Sequence, residues 1–125
     1  MTQIVTYRNL IVWQKAMDLV LEIYQLTSRF PKSEIYGLTS QMRRCSISIP
    51  SNIAEGRRRS SRKDYRQFLV IAYGSGAELE TQIEIAKKLS YTNDGDHIKS
   101  LQLLEEIMRM LNKMLFTLSG QPSNS

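Results

Sequence analysis

EIYGLTSQMRRCSISIPSNIAEGRRRSSRKDYR, residues 34–66, decides how this chain is read. Ile35, Leu38, Met42, Cys45 and Ile49 recur at intervals of three and four, which places them on one side of a helix. Pro50 falls inside that pattern. A proline there deletes one backbone hydrogen bond and crowds the carbonyl four residues back. The pattern nevertheless resumes at Ile53 and Ala54, and Ser46, Ser48 and Ser51 offer hydroxyls to the freed groups. The stretch predicts one helix, kinked at Pro50 and closed by Gly56 in a C′ position, in preference to two short helices. Ser33 is the expected N-cap, with the Glu34 carboxylate suiting the helix dipole.

The same stretch holds the charge. Eight cations (Arg43, Arg44, Arg57, Arg58, Arg59, Arg62, Lys63 and Arg66) face only Glu55 and Asp64 between Arg43 and Arg66, a net +6. The other nine cations are outnumbered by ten acids, so the remainder of the chain carries −1. The entire positive balance therefore sits in one segment.

Upstream, Asn9 is a candidate N-cap. Trp13, Met17, Val20, Tyr24 and Thr27 then share a helical face, which Leu19, Ile23, Leu26 and Phe30 broaden. Pro31 ends this helix, because the residue before a proline is pushed out of helical geometry. Downstream, Ser60 or Ser61 caps a third helix patterned by Tyr65, Phe68, Leu69, Ala72, Leu79, Ile83, Ala86 and Leu89. Gly74 and Gly76 inside it predict a close approach by another backbone, or a bend. Thr92 to Asp96 has turn composition. A fourth helix from about Asp96 to Leu118 carries two apolar stripes, one through Leu104, Leu111 and Leu118, the other through Leu103, Ile107 and Met114. One stripe faces a core; the second either sinks the helix deeper or forms a subunit interface, and the interface is preferred. No segment reads as a strand. The fold expected is all-α, an antiparallel up-down-up-down four-helix bundle in a single domain over residues 1–125, with flexible ends at 1–8 and 120–125.

A chain of 125 residues forms one core. One cysteine permits no internal disulfide and fits a reducing compartment. No secretory leader is evident, and no run approaches the roughly 18–20 apolar residues of a membrane span. A soluble, cytoplasmic protein is expected. A pI near 9.5 points to a polyanionic partner.

Catalytic signals are thin. His97 is the only histidine and reads as a surface residue. Cys45 lies beside Arg44, which would lower a thiol pKa, but its place on the apolar face reads as a small buried hydrophobe. The paired Glu-x-x-His of di-metal bundles is absent. Glu78, Glu80 and Glu84 read as a solvated face, and Gly74-Ser75-Gly76 lacks the context of a nucleotide loop. No catalytic residue, metal or cofactor is assigned. The eight cations remain as candidate nucleic-acid-binding residues. Arginine forks match phosphate oxygens, and Ser60 and Ser61 lie at a helix N-terminus that favours anions. Arg59, Arg62 and Arg66 would align on one face if the third helix starts early.

Trp13-Gln14-Lys15-Ala16, Phe30-Pro31, Tyr36-Gly37-Leu38, Arg43-Arg44, Ser48-Ile49-Pro50, Asn52-Ile53-Ala54-Glu55-Gly56 and Glu78-Leu79-Glu80-Thr81-Gln82 together resemble the bacterial intervening-sequence proteins encoded within large-subunit ribosomal RNA genes. The resemblance spans about Tyr7 to Tyr91. It implies a four-helix bundle, a ring-shaped homopentamer, and kinship with the accessory variability determinant protein of diversity-generating retroelements, which associates with a reverse transcriptase and nucleic acid. The expected function is a non-enzymatic oligomeric bundle that binds RNA or DNA through phosphates; the alternative is an adaptor docking an acidic partner protein.

Overall fold

The computed structural model describes residues 6–93 and 95–120. Four helices form in order: α1 (Ile11–Thr27), α2 (Leu38–Arg57), α3 (Arg62–Lys88) and α4 (Ile98–Leu118). Each packs on its chain neighbours, and α4 returns against α1. This is the expected antiparallel bundle. Leu19 and Ile23 of α1, Met42, Ile49 and Ile53 of α2, Leu69, Leu79 and Ile83 of α3, and Leu104, Ile107 and Leu111 of α4 are fully buried between them. Lys15 to Glu106 at 2.6 Å and Lys99 to Glu22 at 3.0 Å tie α1 to α4 across the closing seam.

The helix starts differ from expectation. Asn9 caps no α-helix. Its Oδ1 accepts from the Thr6 amide at 3.0 Å within a 3₁₀ turn, Tyr7–Asn9, and α1 begins after Leu10 without a side-chain cap. Tyr7 packs edge-on against Trp13, with ring centroids 5.3 Å apart, so this part of the supposedly flexible N-terminus is fixed to the bundle. Residues 1–5 and 121–125 of the expected flexible ends lie outside the described residues. Ser33 falls in a second 3₁₀ turn, Lys32–Glu34, and α2 starts only at Leu38. The cap comes from Glu34, whose Oε1 accepts from the Leu38 amide at 3.0 Å. Ser61 does cap α3, accepting from the Asp64 amide at 3.1 Å.

α2 runs unbroken through Pro50 to Arg57. Donors cluster around the proline: Ser46 Oγ donates to the Arg43 carbonyl at 2.8 Å, and the Asn52 amide to that of Ser48 at 2.8 Å. Gly56 is not a left-handed terminus. It is buried inside the helix, where a Cβ would come within 2.8 Å of Phe68 Cβ and 3.2 Å of the Tyr65 carbonyl. The residue is glycine because α2 and α3 approach closely there. Gly76 likewise faces Met108 of α4, whereas nothing crowds Gly74. The left-handed glycine is Gly120, after α4.

The α1 stripe is met in part, with Leu19, Ile23, Leu26, Thr27 and Phe30 buried as expected. Val12, Ala16, Leu19, Ile23, Leu26 and Phe30 face the core. Met17 and Tyr24 lie on the surface, each 40% exposed, in a row with Leu21 at 68%. Both α4 stripes, in contrast, pack on the core, and Leu101, Leu103, Met108, Met110, Met114 and Leu115 all contribute. In the second α4 stripe Ile107 is buried, and Leu103, Met110 and Met114 are half-buried against the core.

Candidate functional site

The bundle brings the end of α2, the start of α3, the end of α4 and the approach to α1 to one end of the molecule. Arg57 closes α2, Arg58 and Arg59 follow in the connection, and Arg62, Lys63 and Arg66 lie on the first turns of α3. Arg57, Arg58 and Lys63 are exposed and, among the described residues, pair with no carboxylate. The Arg58 guanidinium lies 5.4 Å from the centroid of the Tyr7 ring, and Arg8 lies 4.9 Å from the same ring.

The remaining three cations are partly engaged. Arg59 pairs with Glu55 and covers the Phe68 ring at 4.8 Å. Arg62 Nη2 donates to the Thr117 carbonyl at 3.0 Å, and Arg66 Nε donates to that of Leu115 at 3.3 Å. Those carbonyls belong to the last turn of α4, at the negative end of the helix dipole, and each also accepts a backbone N–H, Leu115 from Ser119 and Thr117 from Gly120. Each guanidinium has five N–H donors, so both keep others free. Because α3 starts at Arg62, Arg59 turns back along α2, and the expected row of Arg59, Arg62 and Arg66 does not form.

Arg43 and Arg44 stand apart. They precede Arg57 by more than three helical turns, about 20 Å along the axis. Arg43 is half-buried, donates from Nε to Thr27 Oγ1 at 2.9 Å and stacks over Tyr24 at 4.5 Å. Arg44 borders a cleft of about 460 Å³ between α2 and α3, with Cys45, Ser48, Ser75 and Glu78. Thus six of the eight predicted cations share one end and two do not.

Two cations escaped the sequence reading. Arg8 reaches the basic end through the Tyr7 turn. Lys113 of α4 borders an apolar cleft of about 310 Å³ there, with Tyr65, Met114, Thr117 and Leu118. The antiparallel order carries a signal for Lys113, since it sets the end of α4 beside the start of α3.

The other candidates resolve individually. Cys45 is buried, donates to Glu78 Oε2 at 3.0 Å and accepts from Gln82 at 3.5 Å. Burial, then the Glu78 hydrogen bond, pushes its thiol up to about 11, outweighing the opposing influence of Arg44. A thiol so placed is protonated at neutral pH and is a poor nucleophile. Glu78, Glu80 and Glu84 are all exposed, as a solvated face requires; Glu78 also accepts from Cys45, and Glu84 pairs with Lys87. His97 is buried, not on the surface, with Nδ1 3.2 Å from the Asn93 carbonyl. Gly74, Ser75 and Gly76 sit within α3, and Ser75 Oγ meets Ser48 Oγ at 2.8 Å. Among the described residues no three His, Cys, Asp or Glu side chains group as metal ligands, and no helix is long and apolar enough to cross a membrane.

A search of the curated proteins finds no match. Among solved structures, the chain is similar to a protein of unknown function from the S23 ribosomal protein family of Bacteroides thetaiotaomicron. The two are 22% identical and superpose with a TM-score of 0.76, over 84% of this chain and 98% of the other. That likeness concerns the fold. The family model described as 23S rRNA-intervening sequence protein matches residues 8–113, well over half of the chain, and the chain therefore belongs to that family.

Proposed function

We propose that this protein is a non-enzymatic bundle that binds RNA or DNA through phosphates at its basic end. The observation that carries the reading is the convergence of Arg57, Arg58, Arg62, Lys63 and Arg66 on one end of the bundle, with Arg57, Arg58 and Lys63 paired to no carboxylate among the described residues. Arginine presents a planar fork to phosphate oxygens, and lysine adds a point charge. Nothing in the set reads base identity, so affinity is electrostatic and salt-dependent. Arg43 and Arg44 drop out of this interface because of their separation along α2.

The test is fluorescence anisotropy against salt concentration, using a labelled oligonucleotide. Each phosphate contact adds about 0.7 to 0.9 to the slope of log affinity against log salt. Replacing Arg57, Arg58 and Lys63 by alanine flattens the slope by about 2 to 3 on that basis. Binding that is insensitive to salt overturns the reading.

The protein further assembles with copies of itself, as the family resemblance implies with its pentameric ring. The support in this chain is the surface of α1 and α2, where Met17, Leu21, Tyr24 and Ile47 are exposed apolar residues. Several basic ends held together raise avidity without new contacts. The second reading is an adaptor for an acidic protein, such as the reverse transcriptase partnered by accessory variability determinant proteins. Arg43 and Arg44 support it, since they border an apolar cleft of about 380 Å³ with Tyr24, Ile35 and Ile47. Failure to bind any bare nucleic acid favours the adaptor.

A further inference from the structure

The basic end contains something that phosphate binding does not need: the cleft between the start of α3 and the end of α4. Its walls are the half-buried Tyr65, Met114 and Leu118, with Lys113 and Thr117 at the edge. The surface it presents is almost wholly apolar. At about 310 Å³ it lies at the small end of ligand pockets, which run roughly 300–1,000 Å³. That size suits one flat ring system, not a helix of a partner protein.

Cations stand around this apolar cleft. Lys113 borders it directly. Arg62 is anchored to the carbonyl of Thr117, a residue of the wall, and Arg66 to that of Leu115, one residue from Met114. An occupant must therefore combine an aromatic, weakly polar body with attached negative charge. A nucleobase on its phosphate chain has that combination. Aromatic side chains accept any base by stacking, because every base has a π-face. The Met114 thioether adds a polarisable contact suited to ring edges. A base locked in a duplex cannot enter such a cleft; an unpaired one can.

We propose that the cleft bounded by Tyr65, Met114 and Leu118 seats an unpaired nucleobase, so that the protein prefers single-stranded over duplex nucleic acid. This rests on the reading of the basic end as a phosphate-binding surface. The cations hold the backbone, and the cleft selects its unpaired state.

Three labelled probes of equal length test it: a single strand, the same strand in a duplex, and an abasic strand that keeps the phosphates. The single strand binds about tenfold tighter than the abasic strand, the contribution of one stacked base, and tighter than the duplex. Thr117 is exposed at the edge, so Thr117→Leu crowds the cleft with a side chain that has no π-face, without disturbing the core. That variant loses the tenfold advantage of the single strand over the abasic strand. Equal binding of all three probes by the unmodified protein overturns the cleft assignment but leaves the phosphate reading intact. Binding of none overturns both.

Discussion

Glu34 shows how one side chain sets a local structure. Its Oε1 caps α2 at the Leu38 amide, and its Oε2 accepts from the Tyr91 hydroxyl at 2.8 Å. The acid therefore joins the start of α2 to the connection after α3. The Leu38 amide, then the Tyr91 hydroxyl, hold its pKa below the ordinary 4.5. A carboxylate whose pKa falls on folding contributes stability above its unfolded pKa, and that contribution fades as pH drops through the lower folded value. Glu34→Gln should thus be less stable than the parent at pH 7, with the difference shrinking below about pH 4.5. Urea unfolding at pH 7 and pH 3 measures it, and parallel curves at both would count against the carboxylate as the cap. A sequence reading favours Ser33 here because serine is a common N-cap. It has no means of seeing that the chain makes another turn first and that an acid four residues ahead reaches the first free amide.

At the scale of elements, glycines record where helices meet. Gly56 lies under Phe68 and Tyr65 of α3, while Gly74, on the same bundle, faces open space. Helix propensity alone favours alanine at both sites by about 1 kcal/mol. Overpacking at Gly56 opposes this with about 1–3 kcal/mol, because a backbone carbonyl and a Cβ stand in the way. Gly74→Ala should raise stability by about 1 kcal/mol, and Gly56→Ala should lower it despite the same change in propensity. Denaturant midpoints of the two variants, measured side by side, decide this; a stabilised Gly56→Ala would show that the helices separate at little cost. The four helices themselves were legible in the sequence, since periodicity and breakers mark them within a few residues. The inward face of α1 was legible in part: Leu19, Ile23, Leu26, Thr27 and Phe30 are buried as the pattern implied, whereas Met17 and Tyr24 are not. Its stripes at 12, 16, 19, 23 and at 13, 17, 20, 24 are both apolar at helical spacing, and only the neighbours of α1 choose between them. The cation cluster was legible as charge but not as geometry. Adjacency in sequence becomes about 20 Å along α2 for Arg43 and Arg57, and Arg8 and Lys113 enter only once the chain closes on itself.

For the whole molecule, what remains is the apolar row on the outside. Met17, Leu21 and Tyr24 are spaced by four and three residues on α1, and Ile47 of α2 extends the same surface. A helix pays for burying such residues only when something covers them, and scattered single apolar residues need no cover. Here they follow one another on one face, and Met17, Tyr24 and Ile47 border clefts between α1 and α2, the pattern of an interaction surface rather than of scatter. If copies of the chain cover one another there, the mass in solution is a multiple of 14.5 kDa. Leu21 and Ile47 are 68% and 41% exposed, so Leu21→Glu with Ile47→Glu places charge on the surface without entering the core. Light scattering should report a multimer for the parent and a mass near 14.5 kDa for the double variant, with helix content unchanged by circular dichroism. Nucleic-acid affinity should fall with assembly, although neither substitution touches the basic end, because avidity depends on how many basic ends are joined. A parent protein that scatters as a monomer at micromolar concentration removes the assembly and leaves each basic end to act alone.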